Sequence, residues 1–358
     1  MSHSAWLFCA LLISMVVILF LILKVKLNAA IALVLGSILM GILSGITTLE
    51  TIDGINVGFG NMLKGMGLPI GFGIILGELV SASGGAKIIA DKIVQAFPKN
   101  KAIYAIGLAA FVLAIPVYFD VTFVILIPIG MALMKEINKS IAHVVGAITI
   151  GAAAAHTMVP PTPAPLAAGE IFGFDTGLMI AFGGIVSLIG VFVVIKIYTM
   201  ILDKSEKFWK PEKDIATEAV IVKEETKNIK KPSFAMAMLP IIVPIIMIII
   251  NTVANSVLGE AEPEIFKFIG DKTTALLAGA IVAYLIAVRS MGQKAAEKAA
   301  TDSLSSAGIV FLITGAGGAF FKYHYNHRCK RCYFRYCKWI NYECVCCNYL
   351  SIFGWFID

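Results

Sequence analysis

The ten residues His156-Thr-Met-Val-Pro-Pro-Thr-Pro-Ala-Pro165 put four prolines within six positions, in the midst of strongly apolar sequence. Proline has no amide hydrogen and its ring clashes with the preceding helical turn, so no regular helix runs through this stretch. At membrane depth, irregular backbone is tolerated only where it is buried in protein or lines a polar cavity. An ionisable side chain at the lip of such a break, here His156, marks a candidate functional site. Other elements must therefore surround this break, and it is the first place to look for a ligand.

That the break lies at membrane depth follows from composition. Hydrophobic residues make up 59% of the 358 and charged residues 15%, against roughly 25% charged in a soluble domain. The expected class is an all-α polytopic membrane protein with the lipid bilayer as its first partner. The net charge of +6 is modest, and in such a chain the placement of Lys and Arg, which orients the spans, matters more than the sum, so no nucleic-acid partner is read into it. Ala5–Leu23 has neither a basic leader nor a small-residue cleavage site and is expected to stay as a first span rather than a signal peptide.

Hydropathy and loop charge divide the chain. Residues 1–202 are expected to form a first transmembrane repeat, with broken segments near 116–120 and 156–165. Ala102–Met134 is too long for one span of about 20 residues. It is interrupted at Pro116-Val-Tyr-Phe-Asp120, which predicts two spans or two half-helices. Residues 203–232 hold the long hydrophilic stretch and, being lysine-rich, are expected to be a cytoplasmic linker. Residues 233–320 read as a partial second repeat. A short internal echo supports the pairing: IGFGIILGELVSASGGA from Ile70 resembles AGIVFLITGAGGA from Ala307, each an apolar run reaching a Gly-Gly-Ala turn. Inverted repeats with the site between them are a common plan for carriers built on broken helices.

Residues 321–358 change character abruptly and hold six of the seven cysteines. Cys329-Lys-Arg-Cys332 has metal-ligand spacing, but Cys344-Val-Cys-Cys347 fits no usual C-x2-C pairing. A disordered basic tail is a second reading. A shifted reading frame accounts for most: read one base later, Tyr and Cys codons give mainly Ile, Thr, Met, Ala and Val, restoring an apolar segment. A truncated or frameshifted second repeat is the expectation, and it opens a non-transporting remnant as the alternative to a working carrier.

The chemistry sits in the apolar half. Asp120, flanked by Tyr118 and Thr122, is either a buried carboxylate that carries a proton or binds cargo, or a plain helix-end cap. His156 could titrate near neutral pH, or stay neutral on backbone opened by the prolines. Thr157, Pro160, Pro161 and Thr162 complete that break. Glu78 is a further proton-coupling candidate that could equally face an interface. Ser81, Ser83, Gly84 and Gly85 offer hydroxyls and free amides suited to an anionic carboxylate, or simply end and pack a helix. No nucleophile–base pair, zinc motif or phosphate loop is present. An intramembrane enzyme would need paired groups at one depth, where Asp120 and His156 stand singly.

IGFGIILGELVSASGGAKIIAD, IPVYFDVTFVILIPI and HTMVPPTPAPLAAGEIFGFDTG, in that order, resemble the gluconate permease (gluconate:H⁺ symporter) family, part of the broader ion-transporter superfamily. The resemblance covers residues 1–320. It implies a multi-pass symporter of the bacterial inner membrane that moves gluconate or a related sugar acid with a proton, needs no cofactor beyond that ion, and leaves room for a homodimer. Relatives with other cargo, D-serine or another small carboxylate, are the near alternative. The chain departs from the family at Ala164, where Gly is usual, and in being considerably shorter.

Overall fold

The computed structural model describes residues 3–137, 139–204, 231–259 and 263–336, with side chains described for 6–132, 139–204, 231–259 and 263–320. Among these residues the chain is helical throughout, with one 3-10 turn and no strand. The helices are α1 (His3–Leu23), α2 (Ala29–Leu43), α3 (Thr48–Ala82), α4 (Gly85–Gln95), α5 (Ala102–Ala114), α6 (Phe119–Ile137), α7 (Ile141–Met158), α8 (Pro163–Phe172), α9 (Thr176–Lys204), α10 (Phe234–Leu258), α11 (Glu264–Gly270), α12 (Lys272–Met291) and α13 (Gln293–Tyr336). Seven helical segments among the described residues are long and apolar enough to cross a bilayer. The chain is thus an all-α polytopic membrane protein.

The described residues divide into two compact units: those within 1–64 with those from 311 on, and those within 65–310. In the first, Ala10 and Met40 are buried and pack with Leu11, Leu43, Ile55 and Phe320. The Trp6 indole donates to the Leu43 carbonyl at 2.7 Å, which satisfies both groups. α3 starts on a capping box, in which the Thr47 hydroxyl donates to the Glu50 carboxylate at 2.9 Å and accepts from the Glu50 amide at 3.4 Å.

The second unit holds the main core. Leu79, Ile89, Ile106, Leu113, Leu126, Ile148 and Ile195 are fully buried, and Ala237, Ala280 and Ala287 join them. Helices from both sides of residues 203–232 therefore share one core, so this unit cuts across the two halves expected from hydropathy. α5 and α7 lie so close that a side chain at Gly151 would overlap the Gly107 carbonyl oxygen. Small residues permit this approach, which is how helices gain contact in lipid, where the hydrophobic effect does not drive them together.

Polar ties fasten the unit at two places. Beside the start of α7, the buried His143 donates from Nε2 to Asp203 at 3.1 Å. Its Nδ1 is then left to accept from the Ser140 hydroxyl at 2.8 Å, and Lys139 pairs with Asp203 at 2.6 Å. On the far side of the proline break, Glu170 of α8 pairs with Lys272 of α12 at 2.7 Å. Nearby, Thr252 of α10 donates to Asp175 at 2.8 Å.

Two sequence expectations are corrected here. The Gly-Gly-Ala turn read at residues 317–319 does not form: α13 continues through it, while Gly84 does end α3 in a left-handed turn at φ 77°. Of the two readings of Asp120, the buried carboxylate fails and the helix-end role fits: it is exposed, in the first turn of α6, where a carboxylate complements the positive helix end. Residues 337–358, with Cys337, Cys344, Cys346 and Cys347, lie outside the described residues. The side chains of Cys329 and Cys332 do so too, so the readings of the tail rest on sequence.

Candidate functional site

Both breaks read from the sequence are present, and they meet. α5 ends at Ala114 and α6 begins at Phe119, so Ile115–Tyr118 is irregular; α7 ends at Met158 and α8 begins at Pro163. At 13 residues α5 reaches only about 20 Å, too short to span alone. Proline sets each break, because Pro116 removes a donor just where α5 would continue, and Pro160, Pro161, Pro163 and Pro165 do so repeatedly after α7. The peptide between Pro160 and Pro161 is cis. Thr162 closes the second break: its hydroxyl donates in a bifurcated bond to the Val159 carbonyl (2.8 Å) and the His156 carbonyl (3.1 Å). It is also the N-cap of α8, where Pro163 takes the first helical position that needs no amide hydrogen.

His156 joins the two breaks. Its ring lies 6.5 Å, centroid to centroid, from that of Phe119 and tilted to it, and it meets the Val117 main chain and the field of Asp120. Beside it is a small pocket, partly open to its surroundings. Its lining comes from three sources: Pro116 to Tyr118 of the first break, His156 with Pro161 to Pro163 of the second, and Ile70, Gly73 and Ile74 of α3.

α3 can serve as that third wall because of its glycines. A side chain at Gly77 would overlap the Pro116 carbonyl oxygen, while Gly73, one turn earlier, faces the Pro161 carbonyl at 3.9 Å from where a Cβ would stand. One glycine thus faces each break. The residues from α3 were absent from the site read off the sequence, although Gly73-Ile-Ile-Leu-Gly77 carries the G-x-x-x-G spacing that signals close helix approach.

The other sequence candidates fall into two groups. Thr157 is exposed and donates back to the Ala153 carbonyl at 2.8 Å, and Pro160 is buried within the break. Ser81, Ser83, Gly84 and Gly85 form the α3–α4 corner, which is not part of the cavity lining. There the Ser83 hydroxyl donates to the Val80 carbonyl at 3.1 Å, and Gly85 abuts Ala237 of α10. Glu78 is half-buried between cavity and corner, within the field of Tyr118 and of Asp302.

What this geometry offers is a pocket with two helix N-termini at its edge, those of α6 and α8. Such ends carry partial positive charge and suit an anionic group. A model of the GntP permease family matches residues 6–327. The chain belongs to that family. It is therefore a permease rather than an enzyme, and a multi-pass protein of the inner membrane. Among its relatives is an uncharacterized permease of Haemophilus influenzae, 30% identical over 86% of this chain and 65% of the relative. A gluconate permease of Pseudomonas aeruginosa is 29% identical over 89% of the chain and 71% of the relative. A gluconate permease of Bacillus subtilis is 31% identical over 85% and 69%. The chain thus spans about two thirds of the length of these relatives.

Proposed function

We propose that this GntP-family chain is a proton-coupled symporter for gluconate or a related sugar acid, with the cargo held in the cavity where the two breaks meet. The observation that carries this reading is the convergence of the Pro116 and Pro160–Pro165 breaks on His156, with the N-termini of α6 and α8 at one pocket. The cargo carboxylate faces these positive ends. The ends of α5 and α7 deliver negative partial charge to the same region, which suits a proton-carrying cation. His156 lines the cavity and is of the residue type that titrates near neutral pH, which makes it the coupling group. Asp120, within its field, steers the proton from the surface. The name gluconate permease, borne by several relatives, supports the choice of cargo.

The linker read at residues 203–232, of which 205–230 lie outside the described residues, is then cytoplasmic, and the Glu170–Lys272 side of the second unit faces outward. The exposed apolar side chains of α9, among them Phe182, Ile185, Ile189 and Ile197, are the surface that lipid covers.

Uptake of labelled gluconate into inside-negative vesicles tests the reading. An imposed inward proton gradient should drive accumulation above equilibrium, and His156→Gln should abolish it while still permitting gluconate–gluconate exchange at a raised gluconate KM. Absence of gradient-driven accumulation for gluconate and for a panel of other sugar acids would sink the proposal. Accumulation of D-serine in place of gluconate would move the chain to the alternative cargo.

A further inference from the structure

Hydroxyl groups buried in helices ordinarily bond back to a carbonyl three or four residues earlier, and this chain follows the habit. Ser83 bonds to Val80, Thr162 to Val159, Ser187 to Gly183 and Gly184, and Ser303 to Ala300. Against that background, among the described residues of the second unit, three buried side-chain polar atoms have no protein partner: Tyr118 Oη, Thr122 Oγ1 and His156 Nε2. Tyr118 and His156 line the same cavity. Thr122 is one helical turn on from Tyr118, its amide bonded to the Tyr118 carbonyl at 2.9 Å, and its side chain is completely buried.

A buried polar atom left unpaired destabilises a fold by about 1–3 kcal/mol, and each instance calls for an explanation. Two of the three line one cavity and the third is a helical turn away, and a ligand that completes them would explain them together. The remaining lining is aliphatic, glycine or proline, so Tyr118 and His156 are the polar side chains the cavity offers besides Thr162, whose hydroxyl is already used within the break; Thr122 stands behind that lining, one turn along α6.

We propose that Tyr118 and His156, which line the cavity, with Thr122 one helical turn on from Tyr118, determine specificity by hydrogen-bonding the hydroxyl groups of the cargo. The inference rests on the cargo site proposed above and assigns it two residues outside the set read from the sequence. Hydroxyls suit these partners because a phenol, an alcohol and an imidazole nitrogen can each donate or accept, as an alcohol does. A site built to bond a hydroxyl discriminates strongly against the analogue lacking it, since its own buried groups then stay unpaired.

The test compares uptake of gluconate with that of a set of its monodeoxy analogues, in the wild-type chain, Tyr118→Phe and Thr122→Val. Tyr118→Phe should raise the gluconate KM about tenfold and leave the KM of one deoxy analogue within about twofold of wild type, so that preference for the missing hydroxyl collapses. Thr122→Val, nearly isosteric, should do the same for a second or the same hydroxyl, and should leave the cargo-free protein at least as thermally stable as wild type. If Tyr118→Phe fails to reach the membrane, Thr122→Val carries the same readout.

An equal loss for gluconate and every analogue would mean a merely structural role, and unchanged discrimination in both variants would mean no role. Either overturns the inference while leaving the transport reading intact. A wild-type chain that takes up no member of the panel overturns both.

Discussion

At the scale of the residue, the position with the least room is Gly77. Any side chain there meets the Pro116 carbonyl, part of the backbone of the first break, so α3 or the break has to give way. Gly77→Ala should therefore lower stability by about 1–3 kcal/mol, as overpacking does, read as a drop in the melting temperature of detergent-solubilised protein. Gly60 is the control. It sits in the same helix with nothing within 4 Å of a would-be Cβ, so Gly60→Ala should be neutral or stabilising by up to about 1 kcal/mol. Equal effects at both positions would show that helix propensity, not the approach to Pro116, governs α3. His156 was legible in the sequence because an ionisable group beside four prolines is conspicuous. Gly77 was not, since its partner lies 39 positions away and only tertiary packing brings the two together.

At the scale of the element, the half-helices need fastening, because α5 and α8 are too short to be held by lipid and their own hydrogen bonds alone. α7 is tied at its start by His143, fully buried and bonded at both ring nitrogens. His143→Ala leaves the buried Ser140 hydroxyl unpaired and should destabilise the protein by about 1–3 kcal/mol. A melting temperature equal to wild type would mean that the tie is dispensable.

α8 is tied differently. Glu170 and Lys272 are 37% and 21% exposed, so their pairing is screened and should be worth less than about 1 kcal/mol. A double-mutant cycle with Glu170→Gln and Lys272→Met on thermal stability measures it. A coupling well above that range would mean that the pair is desolvated when the protein sits in the membrane.

At the scale of the whole molecule, the alternation of basic and acidic loops orients the chain. In the orientation proposed above from the positive-inside rule, the Lys139–His143–Asp203 cluster is cytoplasmic and the Glu170–Lys272 pair faces outward. In a chain whose seven cysteines are replaced by serine, a cysteine at Asp271 should react with a membrane-impermeant maleimide in intact cells. One at Lys204 should react only after permeabilisation. The reverse pattern would invert the topology.

What the sequence determined by itself was class, breaks and family. Composition alone requires a membrane protein, proline alone requires the interruptions at Pro116 and after His156, and the three quoted motifs point to the permease family that the family match bears out. These are local or summed properties, and a linear reading reaches them. The tertiary structure decided which broken segments share a cavity, that α3 supplies its third wall, and that Asp120 lies at the surface. It also drew the α3–α4 corner away from that lining, against Ala237. Each of these depends on distances between residues far apart in the chain, which packing fixes and residue order does not.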